Sequence, residues 1–317
     1  MRVCLMIEGQ EDVTWEQWLA LAGACEEHGL EALFRSDHYE SVMGIRERGS
    51  LDAWTTLAAL AARTSRVRLG TLVSPVTFRH PSVLAKSVVT VDQVSGGRVE
   101  LGLGAGWHER EHRAYGFEFP ETRIRMARLA EQLEIVTRSW TEDSFSFTGQ
   151  HYRVEDLRAL PKPVQRPRPT LLVGGGAGPR SLALAARYAD EYNTTGVPLE
   201  ELPDRHRRLR EAWRDAGRDP DTAGLSLMTT CVVGHDRAEV TERVRRVLAV
   251  TGRDGRADEV IDQRPNWVLG TVDQVATRLR DLEAAGVRRV MLQHLDHADT
   301  DMVAVLGEVA ASMGSAP

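Results

Sequence analysis

Two stretches of this sequence bring together residue types that can do chemistry. In the first, Arg98 to Tyr115, a strand-like run meets glycines at 102, 104 and 106 and passes into His108-Glu109-Arg110-Glu111-His112. Two imidazoles at i and i+4 on a helix, with Glu109 beside them, have the spacing of a zinc site whose carboxylate serves as base, so a zinc hydrolase using His108 and His112 is one reading. The flanks argue against it. Such a motif belongs inside a helix with a buried apolar face, whereas here glycines stand upstream and Arg110, Glu111 and Arg113 surround the histidines, so the run reads as a solvated first helical turn and no metal is expected. The second stretch is Gly174, Gly175, Gly176, Ala177 and Gly178, followed by Pro179. Glycines at a strand-to-helix junction leave N–H groups open beside the positive end of a helix dipole, a cradle for an anion such as phosphate. Its offsets fit neither the P-loop nor the dinucleotide fingerprint. His38, next to Asp37, is a candidate acid, base or hydrogen-bond donor to a ring. His294, Asp296 and His297 read as a polar loop.

These groups need elements to position them, and hydrophobic periodicity supplies an alternation of strands and helices. Short apolar runs at 2–7, 31–36, 66–73, 98–103, 170–173, 190–194, 224–233 and 288–293 read as strands, each followed by a stretch with helical spacing. Strands joined by helical crossovers are parallel, and eight such units predict a closed (β/α)8 TIM barrel. The active-site face of a barrel lies at the carboxyl ends of its strands, where Glu8, Asp37-His38, 72–81, 104–112, 174–180, Asn193-Thr194 and 293–297 would gather. Around 141 to 169 the rhythm breaks. A period-two hairpin about Thr148-Gly149-Gln150 and a crossing carrying Pro161, Pro163, Pro167 and Pro169 read as an insertion over the barrel within a single domain, 1–317. Residues 250 to 270 are charged and expected to be irregular, a possible lid.

Composition narrows the function classes. A formal net charge of −6 gives no electrostatic footing for nucleic acid, which requires clustered positive charge. No stretch approaches the ~18 apolar residues of a membrane span, and the N-terminal apolar run is too short for a signal peptide. Cys4, Cys25 and Cys231 are scattered without a CxxC pair, so a cytoplasmic chain with small buried thiols is expected.

The runs Leu69-Gly-Thr-Leu-Val-Ser-Pro-Val-Thr-Phe-Arg-His-Pro81, Ser95-Gly-Gly-Arg through Gly-Ala-Gly-Trp107 to Gly116, Gly174-Gly-Gly-Ala-Gly-Pro and Gly270-Thr-Val-Asp-Gln-Val together resemble the bacterial luciferase-like superfamily, and most of all its branch dependent on the deazaflavin coenzyme F420. That resemblance spans almost the whole chain. It implies a luciferase-like barrel that transfers a hydride between F420 and a small-molecule substrate, with an FMN-dependent monooxygenase as the alternative on the same scaffold. It implies a non-proline cis peptide at Leu72–Val73 behind the cofactor ring and a cofactor-facing loop at Gly104, Ala105, Gly106 and Trp107. The phosphate cradle would lie at Gly174 to Gly178, and His38 would approach the redox centre as a base or a cofactor contact. It also implies a homodimer and a separate enzyme to reduce the cofactor. Relatives that oxidise sugar phosphates carry a glutamate where this chain has Trp107 and a tryptophan where it has Val42, which points to a different substrate.

Overall fold

A computed structural model describes residues 1–263 and 266–314. The first half of the barrel comprises β1 (Arg2–Ile7), α1 (Trp15–Glu27), β2 (Ala32–Arg35), α2 (Ala53–Ala61), β3 (Arg68–Thr71), β4 (Ser74–Pro75), α3 (Pro81–Ser95), β5 (Val99–Gly104), α4 (Glu109–Tyr115) and α5 (Thr122–Thr141). A hairpin of β6 (Phe145–Thr148) and β7 (Arg153–Leu157) interrupts it. The second half comprises β8 (Thr170–Gly174), α6 (Pro179–Tyr188), β9 (Glu191–Thr195), α7 (Leu202–Asp215), β10 (Gly224–Gly234), α8 (Arg237–Val250), α9 (Ala257–Gln263), β11 (Val268–Thr271), α10 (Val272–Ala284), β12 (Arg289–Gln293) and α11 (Thr300–Ser312). Strands β1, β2, β3, β5, β8, β9, β10 and β12 pair in that order, all parallel, and β12 returns to β1, so the barrel closes.

Local chemistry sets the element ends. Thr14 and Gln17 form a reciprocal capping box at the start of α1. α3 opens with Pro81 behind the His80 cap and stops at Gly96, whose φ of 66° suits a residue without a Cβ. Glu131 of α5 accepts the backbone N–H groups of Gln150, His151 and Tyr152, which pins the hairpin turn to that helix.

The barrel interior is layered by the period of two along each strand. At its amino end Arg289 is buried between Glu100 (2.8 Å) and Glu191 (3.1 Å). Burial works against the charge of Glu100, yet Arg289 and Arg68 bring its carboxyl down to about 2. Above lies an apolar layer of Cys4, Met6, Ala32, Phe34, Leu172 and Met291. Two residues further along the same strands come Glu8, Ser36, Gly174 and Gln293, with Asn193 and Met228 from the neighbouring strands, so the same alternation that fills the core also chooses what lines the mouth.

One expectation is corrected in part. The segment from 250 to 270 is irregular at 251–256, but Ala257 and Val260 bury one side of α9, and β11 pairs with the last four residues of β10. Arg264 and Pro265, within the expected lid, lie outside the described residues. The loop after β12 is the polar loop expected, and much of it is packed inward. His294 and His297 are buried, while Asp296 and Asp299 turn to Arg243 and Arg246.

Candidate active site

A cavity of about 430 Å³ opens at the carboxyl ends of the strands, within the size range of cofactor pockets. Its floor and one wall are made by a break in the sheet. From Gly70 to Ser74 the chain advances four residues while β5, from Glu100 to Leu103, advances three, so one extra residue bulges out. The bulge holds Leu72 and Val73, joined by a cis peptide bond, and both line the cavity. Val73 reaches across the mouth because its neighbours have no side chains. A Cβ on Gly104 would stand 2.7 Å from its Cγ2, and one on Gly174 would stand 2.9 Å from its Cγ1. A Cβ on Gly102 would lie 2.2 Å from the Thr71 carbonyl oxygen. The glycines of the β5 run are thus required by close approach.

His38 stands at the rim. Its Nδ1 meets Oε1 of Glu111 at 2.7 Å, and the other carboxylate oxygen of Glu111 accepts the Tyr39 N–H at 3.0 Å. Burial opposes a charge on His38, but Glu111, helped by Glu8 and Asp37, holds its pKa above the usual imidazole value. Burial likewise opposes the charge of Glu111, and His38 and the Tyr39 N–H bring its pKa down. Both shifts describe one state, imidazolium against carboxylate. With Nδ1 taken, Nε2 is the nitrogen left to meet a ligand. Asp37, beside it, belongs to the scaffold: it pairs with Arg79 and accepts the Ser74 hydroxyl at 2.6 Å, tying the bulge to the loop that carries His38. Trp107, 62% exposed, stands edge-on to His38 at 5.5 Å between ring centres.

Of the residues singled out in the sequence, His38, Leu72, Val73, Gly104, Ala105, Gly106, Trp107, Gly174 and Gly175 converge on this cavity. Gly176, Ala177 and Gly178 do not line it. Two N–H groups of the glycine loop are already engaged, Gly175 to the Asn193 carbonyl and Ala177 to the Tyr192 hydroxyl. Gly176 and Gly178 are exposed, and α6 starts at Gly178 without a side-chain cap. An anion at this loop would meet Gly176, Gly178 and the first turn of α6, which lie outside the cavity.

The HExxH spacing produces no metal geometry. His112 is fully buried, its Nδ1 donating to the His108 carbonyl at 2.8 Å and its Nε2 accepting from the Thr77 hydroxyl at 2.6 Å, so neither nitrogen is left for a metal. Glu111 was missed. In a run of charged residues it reads as solvated, whereas it is buried, and its partner lies 73 residues away in sequence. Glu8 was placed on the right face without a role; it lines the cavity and accepts from Gln10 at 2.8 Å and Gln293 at 2.6 Å.

The family model described as luciferase-like monooxygenase matches residues 3–289. The chain belongs to that family. This luciferase-like chain is 37% identical over 309 residues to an F420-dependent glucose-6-phosphate dehydrogenase of Nakamurella multipartita, covering 91% of the chain and 89% of the relative. Among solved structures it resembles the monooxygenase RslO1 from Streptomyces bottropensis, with a TM-score of 0.84, 26% identity and coverage of 99% and 98%. It also shares its fold with an F420-dependent secondary alcohol dehydrogenase solved with an F420–acetone adduct, at a TM-score of 0.83, 19% identity and 98% of each chain.

The luciferase-like cavity fits a flavin-type group on its own evidence. Leu72, Val73 and Pro75 make an apolar backing, with the Val73 methyl groups filling the room left by the glycines at 104 and 174. A second cavity of about 400 Å³ adjoins the first, sharing Thr195 and Met228 with it.

Proposed function

We propose that the protein is an F420-dependent oxidoreductase that transfers a hydride between the deazaflavin and a small organic substrate. The observation that carries this reading is the His38–Glu111 pair, 2.7 Å apart with Glu111 buried and His38 half-buried, at the rim of a cavity backed by the Leu72–Val73 bulge. When bound, the deazaflavin supplies the hydride chemistry. Val73 and Pro75 would back the ring, Gly104 to Gly106 would run along it, and the N–H groups of Gly176 and Gly178 would receive its phosphate. His38 acts at Nε2. Held cationic by Glu111, it donates a proton to a substrate oxygen that gains charge as hydride arrives, and in the reverse direction it takes that proton back. Trp107 covers the pair and keeps water from it.

The similarity to the monooxygenase RslO1 favours a monooxygenase as the second reading, for which FMN would be the cofactor on this scaffold. Titrating the purified protein with F420 and with FMN, followed by fluorescence, separates the two: saturable F420 binding is expected, and FMN binding with no response to F420 refutes the proposal.

The proposal extends to a single cytoplasmic domain acting as a homodimer, with a separate enzyme reducing the cofactor. Exposed Val83 and Val94 on α3, with Leu160 and Val164 on the proline-rich crossing, are apolar groups suited to a subunit contact. The lid role expected for 250–270 falls to α9, whose Gln263 borders the second cavity together with Asn266 and Trp267.

A further inference from the structure

The loop between β2 and α2, residues 36–52, brings both His38 and Val42 to the first cavity, yet it contains no helix or strand of its own. Its middle is held by a carboxylate from a different loop. Glu11, in the turn after β1, has a side chain only 1% exposed. Its Oε1 accepts the Val42 N–H at 2.9 Å and the Met43 N–H at 3.3 Å. Its Oε2 accepts the Ser41 hydroxyl and the Arg48 guanidinium, each at 2.7 Å. The neighbouring residue continues the contact: the Asp12 N–H donates to the Gly49 carbonyl at 3.1 Å, and the Gly49 N–H donates to the Asp12 carboxylate at 3.2 Å. The Ser50 hydroxyl then closes the loop on itself by donating to the His38 carbonyl at 2.7 Å.

All four groups that meet Glu11 are donors. A carboxylate accepts at both oxygens, whereas an amide accepts at only one and would turn its NH2 toward a donor, so this surrounding is matched to glutamate and not to glutamine. Arg48 carries the arrangement further. Its other nitrogen donates to the Val250 carbonyl in the last turn of α8, the end of a helix that favours a cation. Glu11 is thereby joined on one side to the backbone that sets Val42 in the cavity wall, and on the other, through Arg48, to the helix preceding α9.

Resting on the hydride-transfer reading above, we propose that Glu11 is a positioning residue for the reaction: paired with Arg48, it holds Val42 in the cavity wall and fixes the loop that carries His38. Glu11 is not part of the cavity lining and acts through Val42.

The test titrates F420 into the native protein and into the Glu11→Gln, Arg48→Met and Arg48→Lys variants, each checked for folding by circular dichroism, with cofactor fluorescence as the readout. Glu11→Gln and Arg48→Met are expected to weaken F420 binding by roughly tenfold, the scale of one charge-assisted hydrogen bond. Arg48→Lys keeps a cation for Glu11 and is expected to restore most of the affinity, which a loss of packing alone would not do. Without ligand, amide exchange at Val42 and Met43 should accelerate in Glu11→Gln and Arg48→Met and stay close to native in Arg48→Lys. A folded Glu11→Gln protein with native F420 affinity overturns the proposal, as does equal weakening by the lysine and methionine substitutions. Should Glu11→Gln not fold, the two Arg48 variants decide by the same comparison. If the native protein binds no F420, the hydride-transfer reading falls instead; exchange at Val42 and Met43 then still tests the clamp, and unchanged rates in the folded variants refute it.

Discussion

Replacing Glu111 with glutamine isolates the contribution of the rim pair. The substitution keeps the shape and one carbonyl oxygen, which can still accept the Tyr39 N–H now held at 3.0 Å. The amide NH2 then faces His38 Nδ1, which must become an acceptor, so the ring is driven to the neutral form protonated on Nε2. Glu111 and His38 have side-chain exposures of 1% and 14%, so solvent screens their interaction little. A hydrogen bond between charged partners is worth about 1.5–3 kcal/mol. If proton donation from the imidazolium contributes to the transition state, its loss corresponds to a rate lower by roughly 10- to 150-fold. The histidine titration should also move to lower pH, because the burial that opposes its charge persists while the carboxylate that outweighed it is gone.

The pair makes a stability statement as well. His38 has its folded pKa raised, so its contribution is complete below the unfolded value of about 6.5 and is lost as pH rises through the folded value. Glu111 has its folded pKa lowered, so its contribution is complete above about 4.3 and is lost as pH falls through the folded value. The stability difference between native and Glu111→Gln protein should therefore be greatest between about pH 4.3 and 6.5. Nitrogen-resolved NMR of labelled histidines gives the titration and the tautomer, and urea unfolding at several pH values gives the window. An unchanged His38 titration in a folded variant would refute the assignment of the pair.

Two further outcomes follow from the packing. Gly104→Ala places a methyl 2.7 Å from Val73 Cγ2 and should cost about 1–3 kcal/mol with loss of cofactor binding; Val73→Ala in the same chain should restore stability, and a double-mutant cycle showing no coupling would contradict the wedge. Burial keeps His294 and His297 neutral, with pKa values lowered to about 4 and about 3. Since an unfolded histidine takes its proton near 6.5, stability should fall as pH drops from there toward 4, by about 3 kcal/mol for His294 alone. The His294→Leu variant should show a shallower acid limb in chemical unfolding.

The barrel was legible in the sequence because its signal is local. Each strand declares itself by a short apolar run, each helix by its spacing and caps, and alternation then leaves few topologies. The period of two carries that reading further: once Met6 faces inward, Glu8 must face the mouth, and once Phe34 does, so must Ser36 and His38. The Leu72–Val73 bulge follows from no period, since it is defined by the residue it adds against β5, and it was reached through resemblance. α9 was hidden because it is only seven residues long, with a short stripe of Ala257, Val260 and Ile261 set among charged residues.

Glu111 was hidden for a different reason, and it matters most for the chemistry. Whether a carboxylate in a charged run is solvated or buried depends on what stands opposite it, and nothing near Glu111 in the sequence reveals that the loop after β2 brings a histidine there. β2 and β5 are not neighbours in the sheet; β3 lies between them, and at its end the bulge steps out of register. Ser74, directly after that bulge, bonds to Asp37, directly before His38. The pair and the cavity wall are therefore set by one local irregularity. A change in the bulge should disturb the His38 titration as well as cofactor binding, whereas a change confined to Glu111 should leave the wall intact.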